Sequence, residues 1–375
     1  MTSVYLDHNA TSPIRPEVIQ AVTHAMTVGG NASAPHSHGR AVGKLVSDAR
    51  ESVALAMGVC AQDLIFTGSG TEADNMAIHA AHRGGCKRLL ISAMDHPATY
   101  DVAAHYGIVH EIIPTNTDGV VDMGWLDNRL QAWDNQTDGR PFVSLVAANS
   151  ETGVIQPFED ATDLVHGAGG LILIDAVQAL GKLPMTYMAD YIAVSAHKIG
   201  GPQGVGALYV SPDAPMSPSM IGGGQERRRR AGTLNVAGIA GFGAAARVAT
   251  DLGHTQDLRD YVEAHLKAME PDITIFGEKA DRLPNTSFFA VPDANSTTLM
   301  MALDLSGVSV STGMACSSGK VGPNRTLRHM GQDANCPNGP IRISFGYNNT
   351  QDDADAFLSA WAKIRRKDLP LQGAA

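Results

Sequence analysis

Three side chains stand at the ends of apolar runs, where their chemistry would be exposed to a ligand. Lys198 follows the run YIAVS, Tyr191–Ser195, and precedes a glycine-rich turn at residues 199–206. A short apolar run of this kind reads as a buried strand. An amine at its end, beside glycines that allow close approach to the backbone, is placed to capture an aldehyde as a Schiff base if its surroundings keep it partly neutral. The plainer alternative is a solvated turn lysine. Asp175 follows four apolar residues in LILIDAVQ, residues 171–178. Ligands of open α/β sheets bind beyond the carboxyl ends of the strands. A buried carboxylate there needs a partner, and a protonated pyridine nitrogen would serve. The alternative is a helix N-cap. Gln178 reaches the same ligand from the first turn. Cys316, in VSVSTGMACSSGK (residues 308–320), lies between small residues that suit a thiol that must be exposed and move. An inert cysteine is the alternative.

Other motifs could complete a site. In FTGSGTEADNMA, residues 66–77, an apolar strand runs into glycines and then a helix. Free N–H groups at a helix start attract phosphate, Gly70 lets it come close, and Thr71 adds a hydroxyl. An ordinary capping box would look the same. His96, in MDHPAT just past a strand, is placed to stack on a ring or shuttle protons. Arg342 is embedded in the apolar pattern IRISFG and wants an anion, either a ligand carboxylate or an internal partner. The four arginines at 227–230 read as a phosphate-binding or solvated face. Cys336 has no second feature.

The elements that must position these residues read as alternating strands and helices. Strand-like segments fall at 64–66, 88–92, 109–113, 143–147 and 171–174, with the 191–195 and 207–210 pair after them. Helix-like segments fall at 17–26, 41–57, 75–82, 99–106 and 236–252. That alternation predicts an α/β domain with a mainly parallel sheet. Helical and strand patterns near 257–269 and 286–291 predict a second, smaller α+β domain. The expected division is a large domain over 15–255 and a small one over 1–14 plus 256–375.

Bulk properties exclude several function classes. The chain has 375 residues, 44% hydrophobic, enough for a large core or two domains. A net charge of −10 argues against nucleic-acid and anionic-membrane binding. No apolar stretch reaches about 18 residues, so no membrane span is expected. The first residues lack a basic region followed by an apolar core, so no secretory signal is expected. The four cysteines form no CxxC pair, so neither a metal site nor a disulfide framework is expected, and the natural compartment is a reducing cytoplasm.

Taken together, the motifs resemble the cysteine desulfurase family, in its branch with the longer cysteine loop. The resemblance runs from YLDHNATSP at Tyr5 to IRISFG at Arg342. It is most specific in SAHKIGGPQGVGAL (195–208) and GGGQERRRRAGT (222–233), with TGSGTEADNMAI, IDAVQ and STGMACSSG in the same order. It implies the fold-type-I architecture of pyridoxal 5'-phosphate enzymes and a homodimer. By resemblance, Lys198 holds the cofactor and then takes the Cα proton. Asp175 pairs with the ring nitrogen, Gln178 bonds the ring hydroxyl, and His96 stacks on the ring. Gly70, Thr71, Ser195 and His197 hold the phosphate, and Thr233 reaches the partner's phosphate. Arg342 grips the substrate carboxylate and Cys316 takes sulfur from L-cysteine as a persulfide, releasing alanine. The sulfur then passes to an iron–sulfur scaffold or another thiol acceptor. A selenocysteine lyase, another C–S lyase and a silent scaffold of the same fold remain alternatives. Two positions depart from the family pattern: Ser150, where a ring-contacting asparagine is usual after Asn149, and Tyr347, where arginine is common.

Overall fold

The computed structural model describes residues 3–185, 188–249, 252–312, 324–336 and 338–366. Seven strands form the main sheet: β1 (Leu64–Thr67), β2 (Arg88–Ser92), β3 (Val109–Ile113), β4 (Phe142–Val146), β5 (Leu171–Asp175), β6 (Tyr191–Ser195) and β7 (Gly206–Val210). Their spatial order is β1-β7-β6-β5-β4-β2-β3, and β7 alone runs against the rest. The mainly parallel sheet expected from the alternation is therefore present. β4, β5 and β6 are buried at every position. That explains their continuous apolar runs: helices cover both faces, so neither parity of side chain meets water. Ile172 and Ile174 enter one core with Phe66 and Phe242, while Leu171 and Leu173 enter another with Ile65 and Ala77.

Boundaries differ from the sequence pattern mainly at helix starts. The helix expected at 75–82 is Gly70–Arg83, because Ser69 caps it by accepting the Glu72 amide at 3.1 Å. The helix expected at 41–57 starts at Ser37, where His36 caps it. The polar stretch before it disguised its first turn. Helices Met123–Gln131, Phe158–Gly167, Ser296–Leu305 and Gln351–Arg365 had no expectation.

A further hydrophobic core, the second in extent, lies apart from the main sheet. Three antiparallel strands, Thr274–Ile275, Thr286–Ala290 and Ile341–Ser344, pack with helices Gly253–Met269 and Gln351–Arg365 around Leu266, Phe289, Phe357 and Trp361. The chain start belongs to this core: Val4 and Leu6 are buried in it, and Val4–Tyr5 pairs in parallel with Val308–Ser309.

Two buried carboxylates hold loops to the main sheet. Glu226 accepts both arms of Arg50, at 2.5 and 3.0 Å, and the Phe66 amide at 2.9 Å. This bond set keeps Glu226, Arg227 and Arg228 left-handed, at φ 45°, 58° and 67°. Non-glycine residues hold such angles only where surrounding contacts fix them. Asp95 accepts the Val146 amide at 2.6 Å and the Ser144 hydroxyl at 2.7 Å, joining the exits of β2 and β4. Burial pushes its carboxyl up to about 7.

Glu226→Ala will leave Arg50 and the Phe66 amide without their acceptor, and urea unfolding will show a loss of about 3 kcal/mol. For Asp95 the sign follows from proton uptake. An unfolded aspartate releases its proton near pH 4, whereas folded Asp95 keeps it to about pH 7. Its contribution to stability is complete below pH 4 and is lost as pH rises to 7. Asp95→Asn keeps an acceptor for Val146 and gives Ser144 a donor. Its unfolding free energy will be flatter than that of the wild type across pH 4–7.

Candidate active site

The amine and the carboxylate singled out by sequence sit on adjacent strands. β5 and β6 pair with Asp175 opposite Ala193. Lys198 follows β6 in the single 3-10 turn Ala196–Ile199, which closes on left-handed Gly200. Its Nζ donates to the carbonyls of Asn9 at 2.6 Å and Ala10 at 2.9 Å. Gln178 Nε2 donates to that same Asn9 carbonyl at 2.9 Å. The turn at residues 8–10 thus lies across the ends of both strands.

Asp175 and His96 complete this cluster electrostatically. Asp175 is 4% exposed and accepts the Val177 amide at 2.9 Å. Burial pushes its carboxyl up, while the Val177 N–H and the charges on His96 and Lys198 oppose this. His96 caps helix Pro97–His105, with Nδ1 accepting the Ala98 amide at 3.1 Å. A neutral ring must then carry its proton on Nε2. Burial holds this imidazole below its ordinary range, and Asp175 pulls the other way.

The turn before helix Gly70–Arg83 is shaped for close approach. A Cβ on Gly70 would lie 2.6 Å from Val177 Cγ2 and 3.5 Å from Ser195 Cβ. This brings the helix start, the residue two past Asp175 and the end of β6 together. Amides in a first turn have no intrahelical acceptor, so those of Gly70 and Thr71 suit an anion. Glu72 secures the turn by accepting the Gly68 amide at 2.6 Å and Arg230 Nε at 2.7 Å. His197 Nδ1 bonds with Thr11 Oγ1 at 3.2 Å, and burial, then Lys198, lowers its ring to about 4.

Arg342 has the internal partner that the sequence allowed. It bonds internally, with Nη2 on Asp7 at 2.6 Å and Nη1 on the Ser150 carbonyl at 3.0 Å. Yet it is 4% exposed and its buried Nε has no partner among the described residues. Ser150 enters through its backbone, whose carbonyl also accepts Asn9 Nδ2 at 3.1 Å. The Asn149 side chain closes a turn onto the Glu151 and Thr152 amides and donates to Met94. Tyr347 lies under the Arg15 guanidinium, 4.1 Å from ring centre to Cζ. Thr233 is exposed and is not brought into the cluster. Cys316 lies outside the described residues. Burial pushes the Cys336 thiol up to about 11, which suits an inert cysteine. Among the described residues, no three His, Cys, Asp or Glu side chains cluster to hold a metal ion.

The donor set fits a phosphate-bearing aromatic aldehyde. The amine of Lys198 would meet the aldehyde, buried Asp175 would suit a ring cation, the His96 imidazole lies within their field, and the first-turn amides of Gly70 and Thr71 would suit the phosphate. Asn9, Thr11, Asp7 and Lys182 also line or brace this site. Asp7, Asn9 and Thr11 lie in the YLDHNATSP stretch of the resemblance, but the sequence assigned them no role, because contacts across the fold are what join them to the site. Lys182 alone had a local hint, since it lies four residues after Gln178.

The Aminotransferase class-V model matches residues 4–357. A protein of Cereibacter sphaeroides named cysteine desulfurase is 38% identical, over 97% of this chain and 96% of its own length. An IscS-like cysteine desulfurase of Mycobacterium tuberculosis is 34% identical over 99% of both. The crystal structure of a NifS-like protein from Rickettsia africae superposes with a TM-score of 0.88 at 32% identity, over 97% of this chain and 99% of that one. This is the fold type expected from the resemblance, and the chain belongs to the class-V aminotransferase family.

Proposed function

We propose that this protein is a pyridoxal 5'-phosphate-dependent cysteine desulfurase, converting L-cysteine to L-alanine and retaining the sulfur as a persulfide on Cys316. The observation that carries the reading is the convergence of Lys198 and Gln178 on one carbonyl beside Asp175 and His96. The names of the full-length relatives support it.

When bound, the cofactor supplies an aldehyde that captures amines and a cationic ring that accepts the electron pair released at Cα. Lys198 would hold it, and the Lys198 amine would serve as the base for the Cα proton. Asp175 keeps the ring nitrogen protonated, which also relieves the cost of its own burial. His96 would pack on the ring, with its Nε2 available for proton exchange. Gly70, Thr71, Ser195 and His197 hold the phosphate, and Thr233 reaches the phosphate of the partner subunit in a homodimer. Arg342 Nε takes the substrate carboxylate. The Cys316 thiolate attacks the substrate sulfur: an S–S bond forms, the Cβ–S bond breaks, and the carbon product leaves as alanine once reprotonated. The persulfide passes to an iron–sulfur scaffold or another thiol acceptor. The cores on the two faces of the main sheet and the distinct core around Leu266 and Trp361 support a large domain over 15–255 and a small one over 1–14 and 256–375, with Met94 and Val146 packed against Phe276 and Phe288 where they meet. No described helix is long and apolar enough to cross a membrane; we place the reaction in the cytoplasm.

Mass spectrometry of the holoenzyme after L-cysteine will find one added sulfur on Cys316. Cys316→Ala will lose that sulfur and at least roughly 90% of alanine release, while keeping the visible band of lysine-bound cofactor. Lys198→Ala will lose the band. Alanine release by Cys316→Ala at the wild-type rate would instead indicate a lyase that forms no persulfide.

A further inference from the structure

Among the described residues, Lys182 is the one amine besides Lys198 bonded into the cofactor-site cluster, and the desulfuration chemistry gives it no task. Its Nζ donates to Gln178 Oε1 at 2.7 Å and to Asn9 Oδ1 at 3.0 Å. Gln178 Nε2 in turn donates to the Asn9 carbonyl that also holds Lys198. Asn9 cannot shift to accommodate a change. Its Oδ1 also accepts Asn285 Nδ2 at 3.1 Å, and its Nδ2 donates to Thr286 Oγ1 at 2.9 Å and the Ser150 carbonyl at 3.1 Å.

The consequence lies in which end of the Gln178 amide faces which neighbour. A side-chain amide has one accepting and one donating end, and the two are nearly the same shape. An amine that donates to one end fixes both. With Lys182 on Oε1, the NH2 group faces Asn9 and Lys198. One of its hydrogens is used on the Asn9 carbonyl, and the second remains for a ligand oxygen. Without Lys182, the amide gains nothing from this orientation beyond the Asn9 bond.

We propose that Lys182 is a positioning residue that locks the Gln178 amide with its N–H side toward the cofactor, so that Gln178 acts as a donor to the ring oxygen. The inference rests on the pyridoxal-phosphate reading and adds to it a residue that acts only through another. The amine's surroundings agree with a structural task. Burial holds it well below the ordinary lysine range, with Lys198 and Arg342 adding to the effect. Even a neutral amine has two hydrogens for the two oxygens it meets.

The test is a double-mutant cycle read by cofactor affinity and absorption. Wild type, Lys182→Met, Gln178→Ala and the double variant are prepared as full-length apoproteins and titrated with pyridoxal 5'-phosphate, following the visible band. Lys182→Met is expected to weaken binding about tenfold in the wild-type background, equivalent to about 1.4 kcal/mol, and to shift the band. In the Gln178→Ala background it should change affinity less than about twofold, because coupled residues are not additive. Lys182→Arg, which restores a donor, should recover the wild-type band position. Equal losses in both backgrounds, or no loss in either, would overturn the proposal. Should Lys182→Met not fold, Lys182→Leu, which also lacks a donor, carries the same cycle. A wild-type protein that takes up no cofactor would refute the functional reading itself. Normal uptake with an additive cycle would refute only the role of Lys182.

Discussion

The site depends on one carbonyl oxygen. That of Asn9 accepts N–H groups from both Lys198 and Gln178, side chains carried beyond two neighbouring strands. Strand pairing alone brings β5 and β6 into register but does not aim the side chains that lie past their ends. The N-terminal segment does so by offering a fixed acceptor. The acceptor is fixed because each polar atom of the Asn9 side chain is itself bonded. The arrangement is a chain of satisfied polar groups in a buried place, where one unmet bond would cost more than the others return.

Charge at the site follows from burial more than from pairing. Asp175 is pushed toward its neutral form by desolvation, and His96 and His197 are held below their ordinary ranges for the same reason. Such a site favours a ligand that brings its own charges: a cation for the carboxylate and an anion for the helix start. Binding then removes a cost that the protein alone must bear, which makes the pocket selective for a molecule carrying both signs at the right ends.

Much of this was legible in the sequence, for identifiable reasons. Strands covered on both faces write themselves as apolar runs, so β6 matched its expected limits and β4 and β5 fell within one residue of theirs. The site residues at strand ends, Asp175, His96 and Lys198, were legible because α/β topology sends strand ends to one edge. Helix Phe158–Gly167 was not, because its polar face interrupts any apolar run. Asn9 was invisible as a site residue because its meaning depends on a contact 189 residues away in sequence. Arg342 was legible as a buried cation with a possible internal partner, but Asp7 and the Ser150 carbonyl, which supply it, were not.

The N-terminal segment has a mechanical consequence. Leu6 is sealed in the second core, and Asn9, three residues later, is bonded over the ends of the main sheet. Asn9 is also tied directly to the strands of that core, through Ser344, Thr286 and Asn285. The two cores are therefore geared: rotation of one against the other pulls on the oxygen that aims the amine. A tilt arising far from the cleft would register there as a change in lysine geometry, before any cleft residue had moved by itself.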